Sequence, residues 1–72
     1  MPPRIVFKDI KRGDAFVSVI DKVRVGRRFI VERKQHKPKL VWMWTMDEFA
    51  VSLNFTMAEI NRCLVREEVR DG

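Results

Sequence analysis

The feature that most constrains the fold is a run of alternating, β-branched residues from position 15 to position 25. Such a run is typical of a strand, because successive side chains of a strand point to opposite faces of the sheet. Similar runs cover residues 28–34 and 40–44, and turn residues separate the three. Gly26 marks the first reversal, and the proline in segment 35–39 removes a backbone donor at the second. We therefore predict an antiparallel meander of three strands.

The pattern of the chain changes at Thr45, where the first of two capping boxes begins. In a capping box, a Thr hydroxyl and a Glu carboxylate three residues later each satisfy a free helix N–H. Thr45 with Glu48 and Thr56 with Glu59 both have this spacing, and Asn54 suits the hinge between two helices. The two helices are expected near residues 46–53 and 57–69.

The fold class that follows is α+β, with a three-stranded antiparallel meander followed by two short helices. An alternative strand through residues 50–55 is less favoured, because it leaves the Thr45 box with almost no helix to cap. No linker or repeat divides the 72 residues, so we predict one small domain. Its parts are an N-terminal arm (1–12), a basic β-sheet (13–44) and a helical pair (45–70).

Residues 46–65 carry small, turn-forming and apolar residues at the spacings of a known structural motif. Ala50 is a small residue inside the first predicted helix, Asn54 is the turn and Thr56 caps the second helix. Apolar residues flank these points at Phe49, Leu53, Phe55, Ile60, Cys63 and Leu64. The segment resembles the helix-turn-helix DNA-binding superfamily. An ordinary helical hairpin on one face of a sheet would satisfy most of the same pattern.

The resemblance implies a recognition helix whose exposed residues face the major groove of DNA. Asn and Arg side chains suit bidentate contacts to adenine and guanine. The residues implied are Thr56, Met57, Ala58, Asn61 and Arg62. The acidic character of this half of the chain is unfavourable near phosphate.

The distribution of charge is a second indication of a polyanion partner. Residues 1–44 carry twelve Lys and Arg against four acids, a net charge of +8, whereas residues 45–72 carry three against six, a net charge of −3. Such a basic portion favours nucleic acid, and the alternative is a charged surface that keeps the protein in solution.

The basic sheet is therefore a rival to the helix pair as the nucleic-acid-binding surface. Three arginines surround the tip of the first predicted hairpin, and three lysines lie near the other end of the second strand. These side chains can contact phosphates. They are Arg24, Arg27, Arg28, Lys34, Lys37 and Lys39. A joint mode is also open, in which the helix lies in a groove of the nucleic acid and the basic hairpin contacts its phosphate backbone.

The third predicted strand is apolar on both faces. Trp42 and Trp44 share one face with Leu40, and we expect this face in the core, although exposed tryptophans near arginines would stack on bases. Val41 and Met43 occupy the other face. Because one helix pair covers one face of a small sheet, we predict that a second subunit buries the other face in a homodimer.

Residues for catalysis or cofactor binding are scarce in this sequence. His36 lies in a turn, and one His with one Cys cannot form a metal site. Cys63 is expected in the core and cannot form an internal disulfide, which favours a cytoplasmic protein. The start of the chain lacks the long apolar run of a signal peptide, and the longest uncharged stretch, residues 40–46, is too short to cross a bilayer, so neither a signal peptide nor a membrane span is expected. We therefore expect no enzyme activity, no cofactor and no membrane association.

The basic portion and the helix-turn-helix resemblance favour a small DNA-binding transcriptional regulator, with double-stranded DNA as the preferred partner. Size and compactness alone suggest the phage or mobile-element type. The alternative is a protein-interaction module or a small inhibitor that docks on an acidic surface of a larger enzyme. The two-faced apolar sheet and the acidic second half motivate this alternative.

Overall fold

Five antiparallel strands and one α-helix make up the part of the chain that the computed structural model describes, residues 4–19 and 26–67. The order of the strands across the sheet is β4-β3-β2-β1-β5. The elements are a 3-10 turn (Phe7–Asp9), β1 (Ala15–Ser18), β2 (Arg28–His36), β3 (Lys39–Thr45), β4 (Ser52–Phe55), α1 (Met57–Cys63) and β5 (Leu64–Arg66).

The hairpin of β2 and β3 is the longest strand pair in the sheet. Its pairing extends from Phe29 opposite Thr45 to His36 opposite Lys39, with a turn at Lys37–Pro38. The second and third predicted strands and the turn between them are thus confirmed. The first strand, β1, is shorter than predicted, and positions 20–25 of that prediction lie outside the described residues.

A β-bulge at Glu32 divides this hairpin into two parts. Val31 pairs with Met43 and Arg33 pairs with Trp42, so Glu32 is one extra residue on β2. An extra residue reverses which side chains point to which face. Val31 faces the core before the bulge, and Lys34, opposite Val41, faces the same side after it.

One face of the sheet, hereafter the inner face, packs into the core. The N-terminal segment contributes Ile10 and α1 contributes Ile60, and both are fully buried. The other buried hydrophobic residues are Phe16, Phe29, Val31, Val41, Met43 and Leu64. The inner face is therefore closed by the N-terminal segment and one short helix.

The predicted pair of helices, and with it the helix-turn-helix arrangement and the proposed fold class, is wrong. Residues 52–55 form β4, which pairs with β3 and places Asn54 inside a strand instead of at a hinge. The strand satisfies the backbone groups of β3 and packs Leu53 and Phe55 against the core. The less favoured alternative, a strand through residues 50–55, is therefore present as β4.

The second predicted helix exists, but it ends at Cys63 and not near residue 69. Leu64 has an extended backbone, with φ −124° and ψ 151°. It begins β5, which pairs with β1 so that Leu64 lies opposite Ser18. Pairing at the sheet edge and burial of Leu64 thus override the helical pattern of this segment.

The two capping boxes have different fates. The Thr56 box forms: the Thr56 hydroxyl accepts from the Glu59 N–H at 3.1 Å, and the Glu59 carboxylate accepts from the Thr56 N–H at 2.8 Å. Thr45 is instead buried at the end of β3. Its hydroxyl accepts from the Val51 N–H at 3.0 Å and donates to the Phe49 carbonyl at 3.3 Å. Thr45 therefore closes the loop between β3 and β4.

This role of Thr45 can be tested by removing its hydroxyl while keeping its shape. We expect Thr45→Val to lower the free energy of unfolding by about 1–3 kcal/mol, because the Val51 N–H loses a partner in a poorly hydrated site. Thr45→Ser keeps the hydroxyl and should lose only the contribution of one methyl group, about 1 kcal/mol. Urea denaturation measures both. A Val variant as stable as the wild type would contradict the role.

An ion pair joins the turn before β1 to the edge strand β5. A guanidinium nitrogen of Arg66 lies 2.8 Å from a carboxylate oxygen of Asp14, which also accepts from the Lys11 N–H at 2.8 Å. Burial alone would raise the pKa of Asp14, but these two hydrogen bonds and the positive charges outweigh it, and the pKa lies below the usual 3.8.

A carboxylate with a lowered pKa stabilises the fold above its unfolded pKa and loses that contribution as pH falls through the folded value. We expect Asp14→Asn to be less stable than the wild type at about pH 6, and the difference to shrink as pH falls below 3.8. Glu48→Gln, at an exposed loop position, is the control. A difference that does not change with pH would rule out this ion pair as its source.

Candidate nucleic-acid interface

The second face of the sheet points away from α1 and is lined by apolar side chains. We call it the tryptophan face. The strand register places on it Ala15, Val17, Ile30, Leu40, Trp42, Trp44 and Val65. The prediction that the two tryptophans lie in the core is wrong, since Trp44 is 40% exposed while Val41 and Met43 are fully buried. The reason is that the N-terminal segment and α1 cover the opposite face.

An arginine and a tryptophan are stacked on this face. The Arg33 guanidinium carbon lies 4.7 Å from the centre of the Trp42 ring. The indole N–H of Trp42 donates to the side-chain oxygen of Gln35 at 3.2 Å, which holds the ring in place. Since Arg33 is exposed, the pair presents a flat cationic surface of the kind on which aromatic rings and nucleobases stack.

One acidic side chain interrupts the polar part of this face. Glu32, the bulge residue, accepts a hydrogen bond from the Ser52 hydroxyl at 2.7 Å. Ser52 lies opposite Trp44, so the carboxylate lies toward the Trp44 side. The Arg33 and Trp42 side therefore has the more favourable potential for an anion.

Basic side chains gather near the turn between β2 and β3. Phe7 is their common neighbour: the amines of Lys34 and Lys39 lie 4.8 and 5.6 Å from its ring centre, and the His36 ring meets it edge-on at 5.4 Å. We call this region the basic end. It comprises Arg4, Arg33, Lys34, His36, Lys37 and Lys39. Among the described residues, no carboxylate forms an ion pair with any of them.

The lysines and arginines predicted as phosphate contacts thus fall into two groups. Lys34, Lys37 and Lys39 come together at the basic end. Arg27 and Arg28 lie at the far end of β2, roughly 25 Å away at ~3.3 Å per residue. Arg24 lies outside the described residues.

Both arginines at the far end of β2 are ion-paired. Arg27 contacts Asp47 at 2.8 Å and Arg28 contacts Glu67 at 2.6 Å. The bond and charge of Glu67 raise the pKa of Arg28. These acids reduce the positive potential there, so the basic end is the stronger anion site of the two.

The residues implied by the helix-turn-helix resemblance do not form a reading surface. The Thr56 hydroxyl is the helix cap, and Met57 is partly buried against the core. Asn61 donates to the Ile5 carbonyl at 3.0 Å and accepts from the Ile5 N–H at 2.8 Å, so it anchors the N-terminal segment. Ala58 and Arg62 remain exposed on a helix of seven residues.

Five residues of the candidate interface were not identified from the sequence as site residues. Arg4 and Phe7 belong to the predicted arm, His36 to a predicted turn, and Arg33 and Gln35 carry no motif. The alternation of residues in β2 could have indicated which side chains share a face. The bulge, however, reverses this alternation just before Arg33.

Within the described segments, no three His, Cys, Asp or Glu side chains are grouped to hold a metal ion. No helix in those segments is long and apolar enough to cross a membrane. Comparison with protein-family models, curated proteins and solved structures finds no match to this chain.

Proposed function

We propose that this protein binds single-stranded nucleic acid across the tryptophan face, with phosphates held at the basic end. The observation that carries the proposal is the stack of Arg33 on Trp42 at 4.7 Å, on the sheet face that points away from α1 and ends near the exposed Lys37 of the turn. Binding proteins for single strands combine aromatic rings with a positively charged path, and each stacked base contributes about 1–3 kcal/mol.

A single strand fits this surface better than a duplex. The expectation of double-stranded DNA depended on a recognition helix, and the chain has a flat sheet face at the basic region instead. Trp42 and Trp44 are two residues apart on one strand, so their attachment points are about 7 Å apart along it. Two such rings in a row suit splayed, unpaired bases, which a duplex does not offer.

The charges suggest the direction of the bound strand. Bases would stack at Trp44 and Trp42, and the backbone would continue toward Arg33 and Lys37. Glu32 disfavours phosphate on the Trp44 side, whereas Lys37 is exposed at the tip of the turn. Electrostatic attraction at this end would also make the affinity depend on salt.

The proposal can be tested by intrinsic fluorescence, because the two tryptophans of the chain both lie on the proposed surface. We expect a single-stranded oligonucleotide of mixed sequence to quench this fluorescence, and a duplex of the same sequence to bind more weakly in an anisotropy titration. Binding without quenching, or a preference for duplex, would contradict the proposed surface.

Substitutions locate the contacts more closely. We expect Trp42→Leu, which keeps apolar cover, to cost about 1–3 kcal/mol of binding free energy through lost stacking. Lys37→Gln should weaken binding and reduce the slope of log affinity against log salt by about 0.7, the value of one phosphate contact. Lys11→Gln, an exposed lysine in the turn before β1, is the charge-matched control. Equal effects of Lys37→Gln and Lys11→Gln would indicate unspecific attraction only.

A second candidate function, protein interaction, has one specific observation in its favour. Phe49, in the loop that Thr45 closes, is 77% exposed, and Trp44, Met46 and Val51 beside it are 40 to 53% exposed. A rigid loop that presents such a patch is typical of a protein contact. The neighbouring strand β4 is an edge of the sheet, so a second copy of this chain can pair with it and cover the patch.

This candidate function can be tested separately from nucleic-acid binding. If the loop patch mediates self-association, the wild type should sediment as a dimer and Phe49→Ser as a monomer. Ala58→Ser, on the exposed side of α1, is the control and should leave the dimer intact. A wild type that remains a monomer at all concentrations would contradict the homodimer.

A further inference from the structure

A shallow cavity of about 290 Å³, open to solvent, lies where the N-terminal segment meets α1 and the start of β3. This volume is at the lower limit of the ~300–1,000 Å³ typical of pockets for small molecules. Its polar lining consists of Arg4, Lys39 and Asn61, and its apolar lining includes Phe7 and Met57. The cavity therefore combines two cations with an apolar wall.

The walls of this cavity are fixed by hydrogen bonds. The Asn61 amide bonds both backbone groups of Ile5 and the carbonyl of Met57, at 2.8 to 3.0 Å. The Lys34 amine donates to the Phe7 carbonyl at 3.0 Å. These bonds join the N-terminal segment to α1 and β2, so the cavity is formed before a ligand arrives, which reduces the entropy cost of binding.

The charge of the lining selects an anion. Both charged residues that line the cavity, Arg4 and Lys39, are cations. The acid on α1, Glu59, is engaged by the Thr56 backbone in the capping box. A ligand that satisfies this lining carries negative charge at one end and an apolar, flat body at the other.

We propose that this cavity binds a nucleoside monophosphate, with its phosphate between Arg4 and Lys39 and its base against Phe7 and Met57. The site goes beyond the proposed strand binding. Lys39 lies opposite His36 and shares the inner side of the sheet with Phe7, whereas the tryptophans are on the other face. The ligand is either a free nucleotide or the phosphorylated end of a strand, and both present the same chemistry.

The experiment is an NMR titration of the full chain with adenosine monophosphate, adenosine and inorganic phosphate. We expect the monophosphate to shift the amide signals of Ile5, Val6 and Phe7. Adenosine and inorganic phosphate should each bind at least about tenfold more weakly, since each lacks one of the two contacts. An oligonucleotide with and without a 5′-phosphate identifies the source. Shifts that require the 5′-phosphate support capture of a strand end, and no shift with either oligonucleotide supports a free nucleotide. Equal, non-zero shifts of these amides with both would contradict recognition of the phosphate.

Matched variants test the position of the ligand. Val6 lines the cavity and is 38% exposed, so Val6→Glu adds a negative charge there at little cost to the fold. We expect it to weaken the monophosphate by about tenfold, and Lys39→Gln to do the same. Val19→Glu, at a valine that is 46% exposed and outside the cavity lining, and Lys11→Gln should have no effect.

Three results would overturn the proposal. Inorganic phosphate that binds as tightly as the monophosphate would show a plain anion site. Unchanged affinity in Val6→Glu would place the ligand elsewhere. Shifts confined to the Trp42 and Trp44 indole signals would overturn the cavity while supporting the tryptophan face. Conversely, monophosphate shifts at Val6 without fluorescence quenching by a single strand would support the cavity and contradict the strand proposal.

Discussion

The surface chemistry of this protein depends on the single extra residue at Glu32. Without the bulge, β2 would place Arg33 on the inner face and Lys34 on the tryptophan face. Because the bulge reverses the alternation, Arg33 stacks on Trp42 while Lys34 and His36 reach Phe7. Bulges are common where a sheet redirects a side chain toward a site. The tryptophan face thus gains Arg33 from the bulge, and the inner side gains Lys34, whose amine donates to the Phe7 carbonyl beside the cavity.

The positive potential along the β2–β3 hairpin depends on which basic side chains form ion pairs as well as on where those side chains lie. At the start of β2, Arg27 and Arg28 are held by Asp47 and Glu67. Near the turn, Arg33, Lys34 and Lys39 have aromatic neighbours instead of acids: the charged group of Arg33 lies over Trp42, and those of the two lysines lie over Phe7. A cation on an aromatic ring keeps its charge available to a ligand, whereas a cation in an ion pair is largely neutralised. Among the described residues, the basic side chains at the turn thus keep their charge available, whereas Arg27 and Arg28 at the other end do not.

Local patterns predicted the strands at 28–34 and 40–44, the turn between them and the capping box at Thr56, because alternation and turn residues act over short distances. They failed at Thr45, whose box has the same spacing as that of Thr56. The choice there depended on whether residues 52–55 could pair with β3, which is a long-range interaction. Sequence also placed the tryptophans on the wrong side, since β3 is apolar on both faces and burial was decided by Ile10 and Ile60 from distant segments. The bulge at Glu32 carries no sequence signature.

The pairing of β1 with β5 has a consequence for how the chain is made. Phe16 lies opposite Arg66, so the sheet cannot be completed until the whole segment between them has left the ribosome. The local hairpin of β2 and β3 can form earlier, because closing a short loop costs less entropy than closing a long one. Until β5 arrives, one side of β1 is an unpaired edge to which other nascent chains can bind. Rapid completion of synthesis, or a chaperone that covers this edge, would therefore favour correct folding over aggregation.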